Sequence, residues 1–394
     1  MQFFKRLGGK KLNSGNPNEP KIRFDWQTWV APIIVGLSNI FLILPLLKGT
    51  SGFLDFIIIA SYITGPVLFY FYMWEVTNRR LTSLIAALIY TIPQYRLSSI
   101  VLYDDVSHIV FLGFTPLMLI LFLRFFKNMT LNLAIVCSIG LALGALISPF
   151  GFFTLLILLG IETYSEMLLG QGRVKFFCVF LILILTAGLS AFWYHPLSIF
   201  NIIASDRGRS LISLIWSLIP ISFFIVPVTG AFSFLIFDRK PHLQPFFLAA
   251  SSSTTFLLLT FVGDHLSANL LPVPSRFLPE LVFALAFLLS IIIVGLLTIL
   301  RSEIVARIFR LSLKVSVALY SGLIGFILSF LLALIFFLRP SYWILAQGQT
   351  KPLVSKAIIV TDGISQIIGI GITLLTIILL IIIKIKTRTS NNVA

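Results

Sequence analysis

Charge is scarce in this chain: Asp, Glu, Lys and Arg together make up 11% of 394 residues, and Asp and Glu contribute only 14. A soluble domain of this length carries about a quarter of its residues charged, so the soluble classes are excluded. Cysteine is also rare. Cys137 and Cys178 sit inside apolar runs with no His or Cys at ligand spacing, which excludes a zinc-type centre and a disulfide framework and leaves them as core residues. A glycine-rich phosphate loop and a nucleophile elbow are both missing, which argues against the ATP-driven classes. The first 24 residues are polar and basic, and no short apolar segment with a small-residue cleavage site follows them. Residues 1–29 are therefore expected to form a cytoplasmic basic tail.

What fills the chain instead is apolar: 58% of residues are hydrophobic and the mean hydropathy is +1.04. That composition implies an all-α, polytopic membrane protein, with residues 30–394 as a single membrane domain. Runs long enough to cross a ~30 Å hydrocarbon layer, about twelve in all, fall near 30–47, 53–74, 81–101, 106–123, 131–148, 150–168, 174–193, 211–236, 245–262, 277–300, 315–338 and 357–383. Pro93 and Arg96 interrupt the third, so only residues 81–92 are expected to be firmly helical there. The 29 Lys and Arg gather in alternate connections, such as Arg79 and Arg80, Arg124 and Lys127, and Arg173 and Lys175. This is the positive-inside pattern; it places both termini in the cytoplasm and accounts for the net charge of +15 without a nucleic-acid partner.

With that topology the remaining ionisable residues gather at the outer ends of the runs. The stretch 271–279, Leu-Pro-Val-Pro-Ser-Arg-Phe-Leu-Pro, holds Arg276 in a stiff extended entry to the following helix, because each proline removes a donor and disfavours helix before it. An arginine fixed at that depth is either an interfacial anchor or a binder of phosphate. Asp104 and Asp105 open the fourth run, with His108 on the same helical face, a set that suits a general base or oxygen ligation of a divalent cation. The alternative is a solvated loop with an N-capping aspartate. Asp206, Arg207 and Arg209 could clamp a phosphate by paired forks, or form an ordinary loop tip. Asp264 and His265 form a weaker acid–histidine pair, and His195 reads as part of an aromatic belt at the interface. Glu162 and Glu166 share a helical face and are expected to meet headgroups or a neighbouring helix.

The order of several short motifs is informative. Ala86-Ala87-Leu88-Ile89-Tyr90-Thr91-Ile92-Pro93, Tyr95-Arg96-Leu97, Pro116-Leu117, Leu189-Ser190-Ala191-Phe192-Trp193 and Pro274-Ser275-Arg276-Phe277-Leu278 resemble the bacterial integral membrane proteins with a "6-pyruvoyl-tetrahydropterin synthase-related" membrane domain. That family is itself similar to GT-C glycosyltransferases. The resemblance covers roughly residues 25–300. It implies a GT-C-like bundle in the bacterial inner membrane, with Arg276 matching an arginine that meets the phosphate of a polyprenyl-phosphate-linked sugar. GT-C enzymes carry their essential acid in a long first outer loop, whereas residues 48–52 alone join the first two runs here, with Asp55 nearby.

The resulting expectation is transfer of a sugar from a polyprenyl-phosphate carrier to an acceptor on the outer face. Arg276 with Arg207 or Arg209 would neutralise the phosphate, Asp104 or Asp105 would deprotonate the acceptor, and Asp264 and His265 would contact substrate. A transporter or flippase of a lipid-linked substrate, with helices broken at Pro66, Pro116, Pro220 or Pro227, is the rival reading, and a non-catalytic envelope-complex subunit is the third.

Overall fold

The apolar runs within the described residues fold as helices. A computed structural model describes residues 26–43, 53–91, 96, 105–169, 172–205, 209, 243–261, 274–300 and 363–392. Among them are eleven α-helices and one short 3-10 helix, Pro274–Phe277, with no strand. The α-helices are α1 (Trp26–Ile43), α2 (Phe53–Thr77), α3 (Arg80–Tyr90), α4 (Val106–Asn128), α5 (Leu131–Ile147), α6 (Pro149–Leu168), α7 (Gly172–Ser190), α8 (Pro196–Ala204), α9 (Gln244–Phe261), α10 (Leu278–Leu300) and α11 (Gly363–Asn392). Six of these, α2, α4, α6, α7, α10 and α11, are long and apolar enough to cross a membrane. The expected runs near 211–236 and 315–338 lie outside the described residues. The third run ends as a helix at Tyr90, ahead of the Pro93 and Arg96 that interrupt it. By contrast, α2 and α4 run unbroken through Pro66 and Pro116.

Tight reversals bring successive helices side by side. Asn78 (φ 54°) and Met129 (φ 44°) take the left-handed conformation between α2 and α3 and between α4 and α5. Ser148 alone joins α5 to α6, and its hydroxyl accepts the Gly151 N–H at 3.1 Å as the cap of α6. Helices α2 and α4 pack tightly at Gly113, where a Cβ would stand 2.7 Å from the Ser61 carbonyl oxygen. Small residues allow such backbone contact in a membrane bundle, where dispersion and polar contacts replace the hydrophobic effect as the glue.

An aromatic stack then fixes α10 against α2 and α3. The Phe69 ring lies 4.4 Å from Phe283 and 5.1 Å from Tyr90, and Tyr90 meets Phe283 edge-on at 5.4 Å. On the other flank α11 lies along α7 and α8. Thr373 Oγ1 donates to the Gly188 carbonyl at 3.1 Å and accepts the Phe192 N–H at 2.9 Å. Most of the remaining surface of α11 is exposed isoleucine and leucine, suited to lipid.

The two ends of the bundle differ in polarity. At the basic end Glu75 on α2 accepts from Arg124 on α4 at 3.1 Å. There Lys175 on α7 pairs with Glu166 on α6 at 2.9 Å, and Gln244 on α9 donates to the same carboxylate at 2.7 Å. Glu166 thus meets neighbouring helices. Glu162 is buried as well, with a relative exposure of 1%. The opposite end gathers the start of α4, the start of α6 and the entry to α10.

Candidate functional site

At that opposite end Asp105 is the N-cap of α4. Its Oδ1 accepts the His108 N–H at 3.1 Å and the Ser107 hydroxyl at 2.6 Å. The same carboxylate is also an ion-pair partner: Oδ2 accepts from Nη2 of Arg276, which reaches across from the 3-10 turn before α10. Asp105 is therefore both the N-cap of α4 and the ion-pair partner of Arg276. The guanidinium of Arg276 lies over the Phe150 ring at 4.4 Å, a cation–π contact that sets its height above α6. Burial acts to raise the Asp105 pKa, and the Ser107 hydroxyl, the Arg276 charge and the His108 amide outweigh it, so the carboxyl sits below its ordinary value.

One turn deeper lies a fully buried polar group. His108 Nε2 stands 2.8 Å from Glu280 Oε1, with both side chains almost without exposure. The Thr154 hydroxyl lies 2.9 Å from the same oxygen. His108 also meets the edge of Phe150 at 4.9 Å, so one phenyl ring supports both the arginine and the histidine. Glu280 is in the first turn of α10, where the helix dipole favours a carboxylate. His108, Thr154 and Glu280 come from the starts of three helices, and their two hydrogen bonds span 172 and 126 positions of chain.

A third polar feature adjoins them. Arg96 is 1% exposed, and its guanidinium lies 4.3 Å from the Tyr62 ring and 4.7 Å from the Tyr90 ring. Its Nη1 donates to the Tyr62 carbonyl at 2.8 Å. Tyr90 in turn meets the Phe283 ring of α10 at 5.4 Å.

The structure thus brings Asp105, His108 and Arg276 together, and adds Glu280, Thr154, Phe150 and Arg96. Asp104, Arg207, Asp264 and His265 lie outside the described residues. Arg209 is exposed, and its Nε donates to the Ala204 carbonyl at 2.9 Å, at the end of α8. His195 is buried, its Nδ1 2.9 Å from the Ser365 hydroxyl of α11. Among the described residues no group of three or more His, Cys, Asp or Glu could hold a metal ion. A divalent cation there would draw ligands from elsewhere in the chain or from substrate.

Compared with known proteins, the chain matches no family model, no curated protein and no solved structure.

Chemically, the site offers an ionised carboxylate, an arginine fork and a buried histidine–carboxylate couple within two helical turns. Breaking the couple from one side leaves a buried group without its partner, which costs roughly 3–5 kcal/mol. His108→Ala should therefore lower the melting temperature in detergent sharply, and adding Glu280→Gln should recover part of the loss, since a glutamine buries no charge. Equal melting temperatures for wild type and His108→Ala would show that the couple contributes nothing. Asp105 gives a pH signature. Its folded pKa lies below the ordinary 3.8, so its stabilisation is complete at neutral pH and is lost as pH falls through the lowered value. The melting-temperature gap between wild type and Asp105→Asn should stay constant from pH 7 down toward 4 and close only below 3.8.

Proposed function

We propose that the chain is a GT-C-like membrane transferase. It moves a sugar from a polyprenyl-phosphate carrier to an acceptor at the outer face of a bacterial inner membrane, from a bundle of about twelve spans with both termini cytoplasmic. The observation that carries this reading is the convergence of Asp105, His108, Arg276 and Glu280 at the bundle end opposite the basic connections. By the positive-inside rule that end faces outward, where lipid-linked sugars are used.

Arg276 supplies the phosphate contact. A phosphate monoanion or dianion is a stronger partner for the guanidinium fork than one carboxylate oxygen, and it displaces Asp105 on arrival. The released carboxylate then takes the proton of the acceptor hydroxyl. The bond from the anomeric carbon to the phosphate oxygen breaks as that carbon bonds to the acceptor oxygen, and the electron pair leaves on a phosphate held by Arg276. His108 keeps the Asp105 carboxylate in place through its backbone N–H, and Glu280 holds the His108 ring. Electrostatic stabilisation of the departing phosphate is the largest contribution.

The transporter reading relies on broken helices, and the unbroken course of α2 and α4 through Pro66 and Pro116 gives it no support. In proteoliposomes supplied with labelled sugar on mixed polyprenyl-phosphate donors, wild type should transfer sugar and Arg276→Ala should lose at least about 10²-fold of the rate. No transfer by correctly inserted wild type, or unchanged transfer by Arg276→Ala, would overturn the proposal.

A further inference from the structure

We infer that the cleft between α6 and α9 is a binding site for one hydrocarbon chain of a membrane phospholipid, a role independent of sugar transfer. A cavity of about 340 Å³ lies between the two helices, lined by Gly160, Ile161 and Tyr164 of α6 and by Phe247 and Ser251 of α9. That volume falls within the ~300–1,000 Å³ usual for sites that take a small molecule. The rings of Tyr164 and Phe247 stand 6.1 Å apart at a tilt of 41° and give the cleft an aromatic wall. Gly160 keeps the space open. Met118 takes the room left by the missing Cβ at Gly140, and Phe111 takes it at Gly144 and Gly151. At Gly160 no atom lies within 4 Å of where a Cβ would stand. Glycine weakens a helix, and here no neighbour of the fold uses the room it leaves; that room is the cavity itself.

Depth and lining together choose the occupant. Helix α6 rises about 30 Å, the thickness of the hydrocarbon layer, and Gly160 to Tyr164 lie in its half nearer the basic end. None of the five lining residues is charged. The same two helix faces continue away from the basic end as Phe153, about two turns before Gly160, and Leu258, about two turns after Ser251, which are 44% and 50% exposed. Toward the basic end the helices are tied where Gln244 donates to Glu166 at 2.7 Å, so the cleft opens just inside a polar contact. A methylene fills about the same ~30 Å³ as a water in the liquid, which gives the cavity room for roughly ten. That is a segment of one acyl chain, and too little for a helix of a second copy, about 10–12 Å across. A chain seated there touches fixed walls from both helices, and close packing of this kind drives association inside a bilayer.

The test places the full chain in phosphatidylcholine nanodiscs doped with a phosphatidylcholine that carries a diazirine midway along one acyl chain. After illumination the labelled positions are mapped by peptide mass spectrometry. Exposed residues of α11, such as Ile367 at 70% and Leu375 at 67%, report ordinary contact with lipid. Label on Tyr164, Phe247 or Ser251 should exceed label on α11 by about fivefold, and Gly160→Leu, which fills the cavity, should remove that excess and leave α11 unchanged. Ser251→Leu closes the cleft from the other wall and carries the test should Gly160→Leu fail to fold. Equal labelling of the cleft and α11 would overturn the inference, as would an excess that survives in the filled variant. Joining of two chains by a short bis-maleimide in Gly160→Cys, absent in wild type, would assign the cleft to a second copy and overturn it too.

Discussion

The pairing of His108 with Glu280 is the contact on which the polar end of the bundle depends. Neither side chain reaches solvent, and both come from helix ends that must carry them into an apolar interior. Apart, each would impose a desolvation cost; together with Thr154 they share one hydrogen-bonded centre. The pair therefore dictates where α10 meets α4 and α6, and the Phe69, Tyr90 and Phe283 stack secures α10 from the other side. Once α10 is placed, Arg276 has little freedom: the 3-10 turn leading into that helix sets it above Phe150 and beside Asp105.

Asp105 links backbone to chemistry. One of its oxygens closes the first turn of α4 and the other neutralises Arg276, so a ligand that takes the arginine changes the electrostatics at the helix start without unfolding it. Two arginines at this end are held by aromatic faces rather than by acids alone, Arg276 on Phe150 and Arg96 between Tyr62 and Tyr90. Aromatic support lets a guanidinium lie in an apolar setting. At the basic end Arg80 also lies over a ring, that of Trp74, while Arg124 and Lys175 meet the carboxylates of Glu75 and Glu166 directly and tie helices together.

Much of this was legible in the sequence. Asp105, His108 and Arg276 stood out because ionisable groups beside long apolar runs are rare and costly, and the proline-rich entry marked Arg276 as fixed in depth. The helical class followed from the apolar runs, and the break in the third from Pro93 and Arg96. Local pattern could not show which distant groups would meet. Thr154 and Phe150 look like ordinary residues of an apolar helix, and their roles depend on α10, more than a hundred positions away. Arg96 read as an interruption because nothing in the neighbouring sequence indicated that Tyr62 would stack on it. The histidine at 195 sits in an aromatic segment that gives no sign of its partner, Ser365 of α11, 170 positions away.

The most direct test of the account is a charge exchange, Asp105→Arg combined with Arg276→Asp, measured for both melting temperature and sugar transfer. The exchanged pair should regain part of the stability lost by either single change, because opposite charges still face each other. On the proposed mechanism transfer should be absent, since the fork that would bind phosphate and the group that would accept the proton have traded places. Wild-type transfer by the exchanged protein would contradict the account and reduce the Asp105–Arg276 pair to a strut between α4 and α10.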